Sequence, residues 1–302
     1  MPELPDVEIY RERLEARLVG HGFTAIRLGS PFLVRTYDPP LSAAIGPTIR
    51  EVRRLGKRLV FGLDDDLFLV LHLMIAGRLR WRKAGAKHRG RDVQAVFDPT
   101  PPVSGCLVFT EASKKKRASL HLVRGEEALQ TFDRGGIEVA AAGVDAFADR
   151  LRSERHTLKR TLTDPRLFSG IGNAYSDEIL FEAGMSPLRN STALDDEEVR
   201  RLYDATLAVL GRFTGRIREE IGDGFPDKVT AFREDFAVHG RHKQPCRVCD
   251  NPIQRIVRGD HETNYCASCQ TDGRLLADRA LSRLLKADWP RTLEELEERT
   301  SG

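Results

Sequence analysis

The chain has 302 residues, of which 40% are hydrophobic and 31% charged. That length allows two globular domains, and the composition is too apolar for a disordered chain. The longest apolar stretch, 67–77, is interrupted by His72 and is far shorter than the roughly 20 residues that cross a bilayer, which excludes an integral membrane protein built on helices. The first residues, Met-Pro-Glu-Leu-Pro-Asp, carry acids where a secretory signal would carry lysines and then an apolar core. The expected location is the cytoplasm.

Lys and Arg number 48 against 45 Asp and Glu, a net charge of +3 that is too mild to prove a nucleic-acid partner. Distribution is more telling than the total. Arg78, Arg80, Arg82, Lys83, Lys87, Arg89 and Arg91 form one basic segment and Lys114-Lys115-Lys116-Arg117 another, whereas Glu294, Glu295, Glu297 and Glu298 make the far end acidic. Taken alone, each basic run is equally well an ordinary solvated face.

In chain order, Leu4, Val7, Leu14 and Leu18 follow helical spacing with Gly20 as a stop, which predicts an N-terminal helix over 4–18. Short runs rich in β-formers follow at 24–28, 58–63, 67–73, 93–97, 106–110 and 120–123. Turn residues such as Asp64-Asp65-Asp66 and Pro101-Pro102 separate them, the pattern of a β-sandwich or barrel. Beyond Gly135-Gly136 the pattern becomes helical, at 144–152, near 158–162, and at 174–183, 195–211 and 214–221. A domain boundary is therefore expected between Gly136 and Asp149. No repeat or low-complexity tract interrupts the chain.

Four of the five cysteines stand as Cys246-x-x-Cys249 and Cys266-x-x-Cys269, with sixteen residues between the pairs. This spacing suits a β-hairpin that presents four thiolates tetrahedrally to one Zn²⁺ ion. Four sulfur ligands leave no open position, so the metal is structural, adding on the order of 10 kcal/mol to folding of the hairpin. Cys106, in an apolar run, reads as a small core residue.

Pro2 has a simple reading as a helix-start residue and Glu3 as a first-turn acid. A second reading is chemical. A small second residue lets Met1 be removed, and the exposed proline would carry a secondary α-amine with an ordinary pKa near 7.7 to 8.0. Such an amine attacking a sugar C1′ collapses to an iminium that drives elimination, and the adjacent acid can move protons.

Four strings decide between these readings. Pro2-Glu3-Leu4-Pro5-Asp6-Val7-Glu8 resembles the start of the formamidopyrimidine-DNA glycosylase/endonuclease VIII family. Gly170-Ile171-Gly172-Asn173-Ala174-Tyr175-Ser176-Asp177-Glu178 resembles the glycine-containing turn of its helix-two-turn-helix motif. Phe236-Ala237-Val238-His239-Gly240-Arg241 with Pro245-Cys246, and Tyr265-Cys266-Ala267-Ser268-Cys269-Gln270, resemble the approach to and the exit from its zinc finger.

The resemblance implies an α+β multidomain protein. An N-terminal catalytic β-sandwich with flanking helices would fill 1–140, a helical helix-two-turn-helix domain 141–235, a four-cysteine zinc finger 236–272 and a charged tail 273–302. It further implies a DNA-repair glycosylase with AP lyase activity in which Pro2 is the nucleophile, Glu3 the acid/base, and Lys57, in Leu55-Gly56-Lys57-Arg58, a phosphate contact near the lesion. Gly172, Asn173 and Tyr175 in the turn and Arg241 before the finger would serve DNA binding, with glycines letting the chain approach a phosphate. Damaged DNA is the expected partner, so that a cytoplasmic protein would sit on the nucleoid, and the expected state is a monomer with no membrane contact. The alternative is a catalytically weak protein that retains the clamp on damaged DNA.

Several positions depart from the family pattern. Asp6 replaces the usual glutamate. In His72-Leu73-Met74-Ile75-Ala76-Gly77 the intercalating methionine position holds Ile75, an apolar wedge beside Met74. Where an arginine normally precedes the third cysteine of the finger stands His261, with Arg258 as its substitute for phosphate. The loop that normally offers an arginine and an aromatic ring to the orphaned base reads Glu111-Ala112-Ser113-Lys114-Lys115-Lys116-Arg117, leaving Lys114 and Lys115 to hold phosphate. Without a ring, the loop predicts a preference for lesions in single strands or distorted DNA, unless another residue fills the gap.

Overall fold

In a computed structural model, residues 1–85, 90–227, 229, 233–259, 261–277 and 290–300 are described. Lys87 and Arg89 of the first basic segment, and residues 278–289 of the charged tail, lie outside them. The chain divides into two compact units, Met1–Arg134 with Gly211–Ala231, and Gly135–Leu210 with Phe232–Gly302.

The first unit opens with α1 (Leu4–Leu18), the helix expected from spacing. Val7, Tyr10, Leu14 and Leu18 are buried on one face. The chain leaves the helix through extended Val19 and Gly20 at φ +85°. Eight strands follow: β1 (Phe23–Leu28), β2 (Ile49–Leu55), β3 (Arg58–Leu63), β4 (Leu67–His72), β5 (Gly77–Arg82), β6 (Val93–Pro99), β7 (Cys106–Glu111) and β8 (Ser119–Arg124). They form two antiparallel sheets, ordered β1-β6-β7-β5 and β2-β3-β4-β8.

Both sheets contribute to one core. Phe23, Phe97 and Phe109 from one meet Phe61, Leu69 and Leu120 from the other, and the rings of Phe23 and Phe61 lie edge to face at 6.2 Å. This is the sandwich that the alternating runs imply. A short helix, α2 (Glu126–Gln130), follows β8.

Two strands escaped the sequence reading. β5 alternates Arg78, Arg80 and Arg82 with Leu79 and Trp81, so its charge disguised a half-buried strand. β2 has only Ile49 and Val52 fully buried, too few for a clear period of two.

In the second unit come α3 (Val139–Arg152), α4 (Leu158–Thr163) and α5 (Asn173–Glu182). The helices expected at 195–211 and 214–221 are one, α6 (Asp196–Ile221), whose residues from Gly211 on are counted with the first unit. Gly211 and Gly215 sit inside it. A glycine costs a helix about 1 kcal/mol relative to alanine, but Val199, Leu202, Val209, Phe213 and Ile217 keep one buried stripe running through both glycines. The unit continues with the hairpin β9 (Gln254–Arg258) and β10 (His261–Tyr265), then α7 (Ala267–Thr271) and α8 (Leu293–Thr300). Among the described residues, no helix is long and apolar enough to cross a membrane.

Candidate functional site

In the first unit, Glu3 is the N-cap of α1 and forms a capping box with Asp6. The backbone N–H of Glu3 donates to Asp6 Oδ2 at 2.9 Å, and the Asp6 N–H donates to the Glu3 side chain. Pro2 is buried, and Glu3 and Asp6 are 2% and 3% exposed. Burial pushes the Asp6 carboxyl up to about 7, against the pull of the Glu3 N–H.

Burial also holds the α-amine of Met1 below its ordinary value. Glu3 and Asp6 oppose that shift, while Arg78 and Lys57 reinforce it. The start of the chain thus lies within the field of two carboxylates and two cations.

Lys57 is placed by a two-residue turn, because Leu55 pairs with Arg58 across β2 and β3. Gly56 takes φ +60° at the first central position, which suits a type II′ hairpin turn. Arg78 is held by carbonyls: it donates to Val229 O, to Gly77 O at 2.6 Å and to Ile75 O at 3.3 Å.

Ile75 lies in the tight link between β4 and β5, with 56% of its surface exposed. Met74 is half-buried at φ +53°. The link closes through Gly77 N–H to Leu73 O at 2.9 Å. A Cβ on Gly77 would lie 2.1 Å from that same carbonyl, so only glycine fits the turn that projects Ile75.

The basic loop is organised by an acid at its base. Glu111 is 1% exposed and accepts the N–H groups of Arg117 at 2.9 Å and Ala118 at 3.3 Å. Lys116 turns inward to the Glu111 carbonyl and to Asp92 at 3.2 Å, leaving Lys114, Lys115 and Arg117 exposed.

In the second unit, Gly172 is the N-cap and Asn173 the first residue of α5. Lys159 Nζ donates to the Asn173 carbonyl at 2.6 Å and to Asp177 Oδ1 at 2.5 Å. The other Asp177 oxygen faces His239 Nδ1 at 2.7 Å and accepts the Asn264 N–H at 3.1 Å. Glu178, 3% exposed, accepts the N–H groups of Ala237, Val238 and His239 at 2.7, 2.9 and 2.9 Å. The helix that begins at Asn173 is thereby bonded to the chain entering the finger and to β10.

Tyr175 is buried with its ring edge to face on Phe236 at 5.5 Å. Arg241 donates to Ala237 O, Pro245 O and Gln244 Oε1, so it braces its own loop. Arg258 and His261 are exposed partners at the tip of the β9–β10 hairpin.

The sulfur atoms of Cys246, Cys249, Cys266 and Cys269 lie within 4.8 Å of one another. Three of the separations are 3.4, 3.5 and 3.9 Å. Four sulfurs at about 2.3 Å from zinc would be about 3.8 Å apart in a tetrahedron, so the set fits one structural Zn²⁺ ion. Cys106 is fully buried in β7, as its apolar run implies.

Asp177 and Glu178 belong to the string Gly170–Glu178, but no local pattern in the sequence assigns them a task. Two adjacent acids directly after Tyr175-Ser176, within the first turns of the expected helix, were the available signal. Glu111 and Arg78 were missed as well, because an acid beside four cations and an arginine in a basic run look like surface.

Three family models match the chain: the formamidopyrimidine-DNA glycosylase N-terminal domain over residues 1–122, the H2TH domain of the same family over 138–215, and a zinc finger found in FPG and IleRS over 243–271. The chain is 32% identical to a formamidopyrimidine-DNA glycosylase of Herpetosiphon aurantiacus, covering 89% of this chain and 100% of the relative. It is also 32% identical to one of Thermus thermophilus, covering 90% and 100%. Among solved structures, it is similar to Lactococcus lactis Fpg in complex with DNA containing an abasic site, with TM-score 0.76, 25% identity and coverage of 89% and 99%. A complex of that enzyme with DNA containing an oxidized pyrimidine matches at TM-score 0.76 and 26% identity, covering 89% and 100%.

Proposed function

The chain belongs to the formamidopyrimidine-DNA glycosylase family, enzymes of base-excision DNA repair, and from that premise we propose that it excises a damaged base through a Schiff base on Pro2 and then nicks the strand. With Met1 removed, the Pro2 lone pair attacks C1′ as the bond from C1′ to the base breaks, and the base leaves with the bonding pair and takes up a proton from water. The nitrogen loses its proton, the C1′–O4′ bond opens, O4′ takes a proton and the nitrogen becomes an iminium. Loss of a C2′ proton then expels the 3′ phosphate oxygen, so that the strand is nicked by β- or β,δ-elimination.

Glu3 is the group that accepts the proton from the nitrogen and delivers it to O4′, since its buried carboxyl group is directly beside Pro2 in the chain. What carries the reading is the electrostatic setting of the chain start. The Met1 α-amine is biased towards its free base by burial, with Glu3 and Asp6 opposing and Arg78 and Lys57 adding to the shift; the same bias on Pro2 once Met1 is removed would supply the free base that nucleophilic attack requires. Lys57 and Asn173 would position phosphates, and the exposed Ile75 would enter the gap left by extrusion. Zinc, when bound, stiffens the finger that carries Arg258, and the thiolates take no part in the reaction. Borohydride capture on DNA with an abasic site, followed by identification of the linked peptide, tests the proposal.

A further inference from the structure

The basic loop Glu111–Arg117 carries no ring, and we propose that Phe32 supplies it from a different part of the chain, stacking on the base left unpaired when a nucleotide is extruded from duplex DNA. The inference rests on the DNA-repair reading above and adds a DNA contact to it.

Phe32 is 77% exposed, although its neighbour Leu33 is 2% exposed in the sandwich core. They share a short 3-10 turn, Pro31–Leu33, that is tied down on both sides. Before it, the N–H groups of Gly29 and Ser30 donate to Gln94 O at 2.8 and 3.3 Å. A Cβ on Gly29 would lie 2.2 Å from Val93 O, so the approach is closed to any other residue. After it, Val34 bridges to Leu120, Arg35 N–H donates to Leu120 O at 2.9 Å, and Leu122 N–H donates to Thr36 Oγ1 at 2.9 Å.

The basic loop is anchored at neighbouring points. Glu111 N–H donates to Asp92 O at 2.8 Å and Lys116 Nζ lies 3.2 Å from Asp92 Oδ1, two residues before Gln94. At its far end Ala118 N–H donates to Glu111 at 3.3 Å, two residues before Leu120. The turn and the loop are therefore tied at neighbouring points, the turn at Gln94 and Leu120 and the loop at Asp92 and just before Leu120.

A fixed, solvent-facing ring beside cations is matched to a base in a polyanion. Lys114, Lys115 and Arg117 of the loop and Arg35, three residues after Phe32, are exposed, giving phosphate attraction, while the ring gives a stacking face that lysine lacks. The turn holds the ring in place before binding, so little freedom is lost when a base meets it. With Phe32 in this role, the single-strand preference implied by the loop's composition gives way to a preference for damaged duplex.

The test measures binding of the full chain to a duplex with a tetrahydrofuran abasic analogue and to the same duplex undamaged. Phe32→Ala is expected to weaken the damaged duplex between roughly fivefold and a hundredfold, the range for loss of one base–aromatic stack. The undamaged duplex and the salt dependence should not change. Phe32→Trp should restore binding, and Phe32→Leu, equally apolar but without a ring, should not. Unchanged binding in Phe32→Ala, an equal loss on both duplexes, or full restoration by leucine would overturn the proposal. Wild-type protein that binds the damaged duplex through Phe32 but is not captured by borohydride would overturn the covalent mechanism alone.

Discussion

Glu3 and Asp6 each accept the other's backbone N–H at the start of α1, which places two buried carboxylates within one helical turn. The folded Asp6 carboxyl is raised by burial to about 7 from 3.8, so between those values the folded chain binds a proton that the unfolded chain does not. The Asp6 contribution is fully present below about 4 and is lost as pH rises through about 7. Asp6→Asn keeps an acceptor for the Glu3 N–H and removes the titration. It should flatten the change in thermal midpoint across that window, and an unchanged profile would show that Asp6 ionises normally in the folded chain.

Glu3→Gln should likewise preserve the cap, because an amide oxygen can still accept the Asp6 N–H. It cannot deliver a proton. Base excision in single turnover is expected to fall by about a hundredfold or more, the usual contribution of a general acid. Cleavage of a ready-made abasic site, where the glycosidic step is complete, should fall less. Equal loss in both assays would assign Glu3 a positional role only.

Glu178 holds three backbone N–H groups of the chain that enters the finger. Glu178→Gln turns an amide donor towards groups that also donate, a buried mismatch that costs about 2–5 kcal/mol. Its thermal midpoint should drop and a chelator should extract zinc faster, although no metal ligand has changed. Cys266→Ser should release zinc outright and weaken binding to all DNA sequences alike. Wild-type zinc retention in Glu178→Gln would mean that the finger keeps its shape without α5.

Lys57 sits in the two-residue turn between β2 and β3, outside the paired residues of the sheet, so its replacement should leave the strand pairing intact. Lys57→Ala is expected to reduce the slope of log affinity against log salt by about one. A slope equal to that of the wild type would take Lys57 out of the DNA interface.

The sequence was most legible where one signal dominated. The spacing of Val7, Leu14 and Leu18 with Gly20 located α1, and the two Cys-x-x-Cys pairs located a sulfur cluster of the right size for zinc. It was least legible where two signals competed. Arginines masked the alternation of β5, and Gly211 and Gly215 outweighed the apolar stripe of α6. Phe32 was invisible for a different reason: its neighbours in the fold, Gln94 and Leu120, are distant in sequence, and no local pattern tells an exposed phenylalanine from a buried one.

The central claim is that the Pro2 nitrogen forms the covalent bond, and retention of Met1 tests it directly, because that nitrogen is then an amide with no lone pair to give. Protein lacking Met1 and protein with Met1 retained under an N-terminal tag would be incubated with abasic-site DNA and borohydride, and the linked peptide sequenced by mass spectrometry. The account predicts a cross-link at Pro2 in the first protein and none in the second. Equal capture and nicking by the tagged protein, or a link mapped to a lysine, would contradict it.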